Sequence, residues 1–304
     1  MSATAAPTSP AAAAPTEVTR AARQPACEGA RPFDRRDFPG SPKVDNPFLP
    51  LRPGMRFVLK GTDSDEEETV ARRVQITVTD LTKVVGGVRT IVVLEQDFTD
   101  GVLTEDEIAF RAQEANGTWV WELGEYPEEF DEKGKFAGAP STWLQGVRGG
   151  LGGIAMPADQ KHFRRAYLQA FAPGKPEDII FDCARLFRTN QQTSVPAGHF
   201  RNVLVTEEWN ALDPLEPHQL KYYAAGVGLV RVGVAGDQPG EKLMLTEARR
   251  LCRQQLKASS DHALRLDQRA YTNARGVFTA NIPHAKRTLG VKPCGSSSRA
   301  TGRR

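Results

Sequence analysis

The stretch that decides the fold is VLTEDEIAFRAQ, residues 102–113, which lies between two turn signals, Asp100-Gly101 and Asn116-Gly117. Both dipeptides supply residues that tolerate a positive φ, as tight β-hairpin turns require. The side chains alternate between an apolar face of Val102, Ile108, Phe110 and Ala112 and a polar face of Glu105, Glu107, Arg111 and Gln113. This alternation predicts a strand of an antiparallel sheet whose polar face contacts water.

Similar β-branched runs, separated by short glycine, proline or aspartate signals, continue on both sides of this stretch. They occur at residues 55–60, 70–79, 88–98, 118–123, 162–171, 179–189, 200–209, 220–225 and 228–234. About ten strands without an alternating βαβ pattern predict a mainly β fold, either a single curved antiparallel sheet or a half-barrel. Two short basic helices are expected later in the chain, at 247–257 and 263–271.

Composition divides the chain into three parts. Residues 1–43 are rich in alanine, proline, serine and threonine, which predicts a disordered segment, and residues 44–249 form the predicted β domain. Residues 250–304 form a basic tail, expected to be partly helical and then mobile. Between 124 and 153 the strand periodicity fails, and we expect a long loop or flap.

The net charge of +3 conceals an acidic body and a basic tail. Residues 44–249 carry 22 Lys and Arg against 31 Asp and Glu, whereas residues 250–304 carry 12 against 2. An acidic body argues against binding along a nucleic-acid phosphate backbone. No apolar run approaches the roughly 18 residues of a membrane-spanning helix, so we expect a soluble protein. The N-terminus shows no basic and apolar regions of a secretory signal.

Motifs for metal, cofactor or nucleophilic chemistry are lacking in the sequence. The cysteines Cys27, Cys183, Cys252 and Cys294 form no CxxC pair; two disulfides are conceivable, but free thiols are favoured. The five histidines form no HExxH motif, and neither a phosphate-binding glycine loop nor a GxSxG elbow occurs. The sequence therefore predicts no catalytic residue, metal or cofactor.

Glu207 is the one ionisable residue that the pattern singles out. If it lies in line with Val203, Val205 and Trp209, it is a carboxyl group on an apolar strand face. Pairing with an arginine such as Arg185 or Arg231 is the favoured explanation. The alternative is an acid/base enzyme built around Glu207.

The large aromatic side chains suggest either a core or a binding cavity. Filling the core is their commonest role. The functional hypothesis is that they line a cavity between a curved sheet and the 124–153 flap. Its walls would be Trp121, Trp143, Trp209 and Tyr222, with Glu207 beside them.

Three strings carry a resemblance: DNPF at 45–48 with Pro53-Gly54, GIAMPA at 153–158, and YYAAGVGLV at 222–230. Together they resemble a family of bacterial secreted or lipoprotein-type proteins, over about residues 45–250. The last string is also similar to β half-barrels related to lipoprotein carriers. The resemblance implies an extracytoplasmic location, secreted or in the cell envelope, and a curved antiparallel sheet, but no activity. Without it, the absence of a visible signal segment would favour the cytoplasm.

These observations lead to one functional expectation and two alternatives. We expect a non-enzymatic binding module whose concave face receives an apolar or amphipathic ligand such as a lipid. The first alternative is a structural or interaction protein that acts through its acidic body or basic tail. The second is the acid/base enzyme around Glu207.

Overall fold

The structure is a computed structural model that describes residues 27, 31–40, 42–65, 67–117, 119–157, 165–174, 179–213, 216–236 and 238–294. After a short 3-10 turn at Arg35–Asp37, the strands are β1 (Met55–Ser64), β2 (Thr69–Val85), β3 (Val88–Thr99), β4 (Val102–Gln113), β5 (Trp119–Phe130), β6 (Phe136–Gly138), β7 (Trp143–Leu144), β8 (Leu151–Pro157), β9 (Tyr167–Ala172), β10 (Ile180–Val195), β11 (Gly198–Asn210), β12 (Gln219–Ala224), β13 (Gly228–Val234), β14 (Lys242–Arg250) and β15 (Lys286–Arg287). One helix, α1 (Arg253–Asn273), lies between β14 and β15.

Twelve of these strands form a closed antiparallel barrel. Their order is β1-β14-β13-β12-β11-β10-β9-β8-β5-β4-β3-β2, and β2 pairs back to β1. The short strands β6 and β7 add to β5, and β15 adds to β2. The mainly β, antiparallel prediction is confirmed, but the open half-barrel of ten strands is wrong. Closure satisfies the backbone groups that an open sheet would leave at its edges.

The predicted hairpin turn at Asp100-Gly101 joins β3 to β4. Asp100 has φ 50° and Gly101 has φ 85°, the paired positive angles of a two-residue hairpin turn. The 124–153 region, predicted as an unstructured loop, instead contains the second half of β5, together with β6, β7 and the start of β8.

The C-terminal region forms one helix instead of the two that were predicted. Residues 247–250 belong to β14, because their backbone pairs with β1, where Met55 lies opposite Arg250. Residues 274–294, expected to form a mobile tail, contribute the buried side chains Phe278, Ala285 and Val291. The disordered segment predicted for 1–43 falls largely on residues 1–26, which lie outside the described residues.

Helix α1 covers the outside of the barrel along β2 to β5. The apolar core beneath it includes Ile108, Phe110, Trp121, Leu123, Leu266, Ala270 and Phe278. The apolar face of β4 therefore points outward, toward the helix. Its polar face points to the barrel interior, where Glu105, Glu107 and Arg111 are partly buried.

Ion pairs that are fully or partly buried join this helix to the barrel, and we call them the junction pairs. The side chains of Lys83 and Asp267 are at most 1% exposed, and Lys83 Nζ lies 2.6 Å from Asp267 Oδ1. Lys83 also donates to the Tyr271 hydroxyl at 3.1 Å. The further pairs are Arg269 with Glu128 at 2.7 Å and His262 with Asp106 at 2.6 Å.

Residues 44–51, the plug segment, close one end of the barrel. Its side chains Val44, Phe48 and Leu51 are buried in a cluster with residues of β2, β3, β4, β5, β8, β11 and β12. The Asn46 side-chain oxygen accepts hydrogen bonds from the backbone amides of Phe48 (2.8 Å) and Leu49 (3.1 Å). The amide of Gly226 donates to the Pro47 carbonyl at 2.7 Å, so the DNPF and YYAAGVGLV strings meet here.

All four cysteines are in disulfides, which corrects the expectation of free thiols. Cys27 pairs with Cys183, and Cys252 pairs with Cys294. The second bond joins the start of α1 to the segment that follows it. No helix in the described part of the chain is long and apolar enough to cross a membrane.

Candidate functional site: an acidic cavity inside the barrel

The barrel encloses a cavity of about 700 Å³. Every barrel strand except β14 contributes to its lining, which places it along the barrel interior. The plug segment contributes Leu49, Pro50 and Leu51 at one end. This volume lies within the range of small-molecule binding sites.

Carboxyl groups form a ladder across three neighbouring strands on the inner face of this cavity. Glu95 of β3 lies opposite Glu107 of β4, and Asp97 lies opposite Glu105. On the next strand, β5, Glu125 lies opposite Ala109 and Glu122 lies opposite Arg111, and these two residues complete the ladder. Like charges directly opposite each other in a sheet destabilise it, so this arrangement is costly without a compensating cation.

The cations of the chain compensate only part of this charge. Lys221 Nζ lies 2.9 Å from Glu208 Oε2, and Arg72 contacts both Asp97 and Glu241 at 3.2 Å. Arg111 is paired with Glu122. Among the described residues, no Lys or Arg forms an ion pair with the remaining cavity carboxyls. They are Glu95, Glu105, Glu125, Asp182 and Glu216 of the lining, together with Glu107, which lies on the same face of β4 as Glu105.

Several carboxyls of the cavity and its ladder have raised pKa values, and Asp97, which contacts Arg72, is one of them. Burial, with the charges of Glu95 and Glu105, raises the pKa of Asp97 to about 8 despite its contact with Arg72. Burial and the charge of Glu95 raise the pKa of Glu105 to about 7. Burial likewise raises the pKa of Glu125 to about 8 and that of Asp182 to about 6. Several of these groups therefore hold protons near neutral pH.

Two of the paired cations, Arg111 and Lys221, also have raised pKa values, which for a cation favours the charged form. Burial disfavours the charged form of Arg111, but the carboxylates of Glu122 and Glu95 raise its pKa. Burial also opposes the charge of Lys221, and Glu208 raises the pKa of that ammonium group. Both cations therefore stay charged, and each is already engaged by a carboxylate.

The cavity also has an apolar wall, formed by the plug segment and by β13, β1 and β2. Its members are Leu49, Phe57, Ile76, Val78, Val227 and Leu229. The carboxyls lie on β3 to β5 and β10 to β11, with Glu216 just before β12. One side of the lining is thus apolar, and the other carries the carboxyls together with smaller apolar contributions such as Ala170 and Ile180.

Two of the predicted aromatic residues lie away from the cavity lining. Trp121 is on the outer face, where its indole nitrogen donates to Glu114 at 2.9 Å and its ring meets Phe33 edge-on. Trp143 is fully buried, and its indole nitrogen donates to Glu125 Oε1 at 2.8 Å. Trp143 therefore donates a hydrogen bond to a cavity carboxyl but does not itself line the cavity.

The other three predicted residues lie on β11 and β12. Trp209 is among the cavity-lining residues, and its ring stacks on His218 with centroids 5.0 Å apart. Glu207 is paired with the Arg185 guanidinium (2.7 Å), while His218 Nδ1 lies 2.7 Å from its other oxygen. The Tyr222 ring lies 5.0 Å from the Arg231 guanidinium. The five predicted residues do not form one wall.

Sequence reasoning missed the carboxyl ladder, although its signal was present. Acidic residues recur at alternating positions on β3 and β4, as 95/97 and 105/107, and β5 adds Glu122 and Glu125. A sheet with one solvated face would show the same pattern, and barrel closure distinguishes the two. No group of three or more His, Cys, Asp or Glu in the described residues is arranged to hold a metal ion.

No family model and no curated protein matches this chain. Among solved structures, a Bacteroides fragilis protein of YmcC-like fold, described as exported, is similar at 12% identity and a TM-score of 0.36, over 67% of this chain and 99% of that one. A Parabacteroides distasonis protein described as a lipoprotein gives 12% identity and the same TM-score, over 66% and 98%. Similarity at this level carries no argument about function.

Proposed function

We propose that this protein is a binding module that takes a small organic cation into the acidic cavity of its barrel. The observation that carries the proposal is the excess of cavity carboxyls over cations, with Glu95, Glu105, Glu107 and Asp182 free of any ion pair to Lys or Arg in the described residues. A buried carboxylate is stable when an opposite charge lies beside it. A ligand ammonium or guanidinium group would supply that charge.

This proposal changes the ligand expected from the sequence. A lipid tail alone would leave the carboxyl ladder uncompensated, and burying unpaired charges is costly. A cation bound beside Glu105 and Glu125 would instead favour their ionised forms and displace the protons they hold near neutral pH. Rings of Trp209 and Tyr223 in the lining could contact the face of such a cation.

Two disulfides support an extracytoplasmic site of action. Disulfides persist in oxidising compartments and are rare in the reducing cytosol. We therefore propose that the ligand is captured outside the cytoplasm.

The test is a thermal-shift comparison of three molecules of matched size: n-hexylamine, 1-hexanol and hexanoate. We expect only the amine to raise the melting temperature of the full chain at pH 7.5. The double variant Glu105→Gln/Glu107→Gln should lose this shift, while the matched control Glu132→Gln, which changes an exposed loop carboxyl, should keep it. Equal shifts with hexanol and hexylamine would overturn the proposal.

A further inference from the structure

We infer that the ligand is amphipathic: an organic cation whose apolar part lies against the β13-β1-β2 wall while its charged group lies among the carboxyls of β3 to β5. This inference rests on the proposed function and narrows its ligand class. It stands on the division of the cavity lining into two sides.

The first boundary between these sides runs between β2 and β3. Ile76 of β2 lies directly opposite Glu95 of β3, so an apolar and an acidic side chain are immediate neighbours. On β2, Val78 lies on the same face as Ile76 and also lines the cavity. A ligand that spans this boundary contacts both kinds of surface within one strand spacing, about 5 Å.

The second boundary lies between β12 and β13. Leu229 of β13 is paired with Tyr223 of β12, and Lys221 on β12 contacts Glu208. The lining side chains of β13, β1 and β2 are apolar, although β14, which lies between β13 and β1, contributes none. Leu49 of the plug segment adds to these apolar side chains at one end of the cavity.

This geometry disfavours two other ligand shapes. A ligand with ammonium groups at both ends would place one of them against Phe57, Val78 or Leu229, where no carboxyl lines the cavity. A fully apolar ligand would leave the acidic side unpaired. One charged end and one apolar end match the lining best.

A chain-length series on the full chain tests this inference. Calorimetric titration would compare n-butylamine, n-hexylamine and n-octylamine with 1,8-diaminooctane and 1-octanol. We expect affinity to rise about threefold to fourfold per added methylene. We also expect octylamine to bind at least about tenfold more tightly than the diamine, because the second ammonium loses its hydration against an apolar wall.

Two variants of Leu229 test whether the alkyl chain of the amine contacts the apolar wall. Leu229→Gln should weaken octylamine binding and leave butylamine binding nearly unchanged, whereas Leu229→Met should retain both. If all amines bind equally, or the diamine binds as tightly as octylamine, the amphipathic inference is overturned and the cation site stands. If no amine binds, or octanol binds as tightly as octylamine, the proposed function fails, and the inference fails with it.

Discussion

The junction pairs and the cavity carboxyls are two sets of fully or partly buried charges, and they differ in how completely the charges are paired. At the junction, each charge has its own partner, as Lys83 has Asp267 and Arg269 has Glu128. In the cavity, Glu105, Glu107 and Asp182 have no such partner among the described residues. A balanced set holds two structural elements together. An unbalanced set is costly for folding, and under the proposed function a bound cation would supply the missing charge.

The largest expected effect comes from removing one partner of a junction pair. Lys83→Met would leave Asp267 buried without its ammonium partner and should lower the free energy of unfolding by about 3–5 kcal/mol. Denaturant unfolding would measure this loss. The double variant Lys83→Met/Asp267→Leu should recover most of it, because an apolar pair removes the unpaired charge. If the single and double variants have the same free energy of unfolding, the claim that the charges at the junction are paired is contradicted.

The second largest effect should come from removing the Cys252–Cys294 disulfide, which joins the start of α1 to the segment after it. Replacing Cys252 and Cys294 by alanine opens a loop whose ends are 42 residues apart. Chain entropy predicts a loss of about 2–4 kcal/mol in the free energy of unfolding. Thermal unfolding without reductant would measure it, with the parent chain under reductant as a comparison. A loss confined to α1 would show that the barrel folds independently of this bond.

The unbalanced cavity predicts an unusual dependence of stability on pH. Carboxyls such as Asp97 and Glu125, whose folded pKa values are raised to about 8, stabilise the fold while protonated. That stability is complete below their unfolded pKa near 4 and is lost as pH rises through about 8. Without ligand, the free energy of unfolding should fall by about 2 kcal/mol from pH 5.5 to pH 8.5.

Other carboxyls do not reverse this trend. Burial opposes ionisation of Glu128 and Glu208, but contacts with Arg269 and Lys221 lower their pKa values, so they titrate below this window. Denaturant titrations at pH 5.5, 7.0 and 8.5 would measure the effect. Constant or rising stability over that range would contradict the raised cavity pKa values.

The smallest expected effect comes from replacing a single cavity carboxyl, that of Glu105. Glu105→Gln removes a group whose ionised form is disfavoured in the fold, and it should raise the free energy of unfolding by about 1 kcal/mol at pH 8.5. At pH 3 the effect should be nearly absent, because the carboxyl is then mostly protonated in both the folded and the unfolded state. The rise in melting temperature would be about 2–4 °C. Destabilisation at pH 8.5 would show that Glu105 is compensated by a partner.

Local patterns predicted the strands well, because turn chemistry and alternation are local properties. Asp100-Gly101 marks the β3–β4 turn, and the two faces of β4 differ as its sequence indicates. Alternation shows that two faces differ but not which one meets water. Helix α1, about 150 residues later in the sequence, covers the apolar face of β4, and the pairing of β1 with β2 and β14 closes the barrel around the polar one.

The candidate site was harder to predict for the same reason. Trp121 and Trp209 were grouped because both are large aromatics on strands, yet one packs outside the barrel and the other lines the cavity. Glu105 and Glu107 were recognised as one polar face and assigned to water. Which side of a strand faces a cavity depends on long-range closure, which no short window of sequence contains.

The most direct test of the acidic cavity is the number of protons released when an organic cation binds. Titrating n-octylamine into the full chain at pH 7.5, in phosphate and in Tris buffer, separates proton release from the binding enthalpy. We predict a net release of protons, because the cation ionises carboxyls such as Glu105 and Glu125, and a smaller release in Glu105→Gln. Binding without proton release, or equal release by both proteins, would contradict the account.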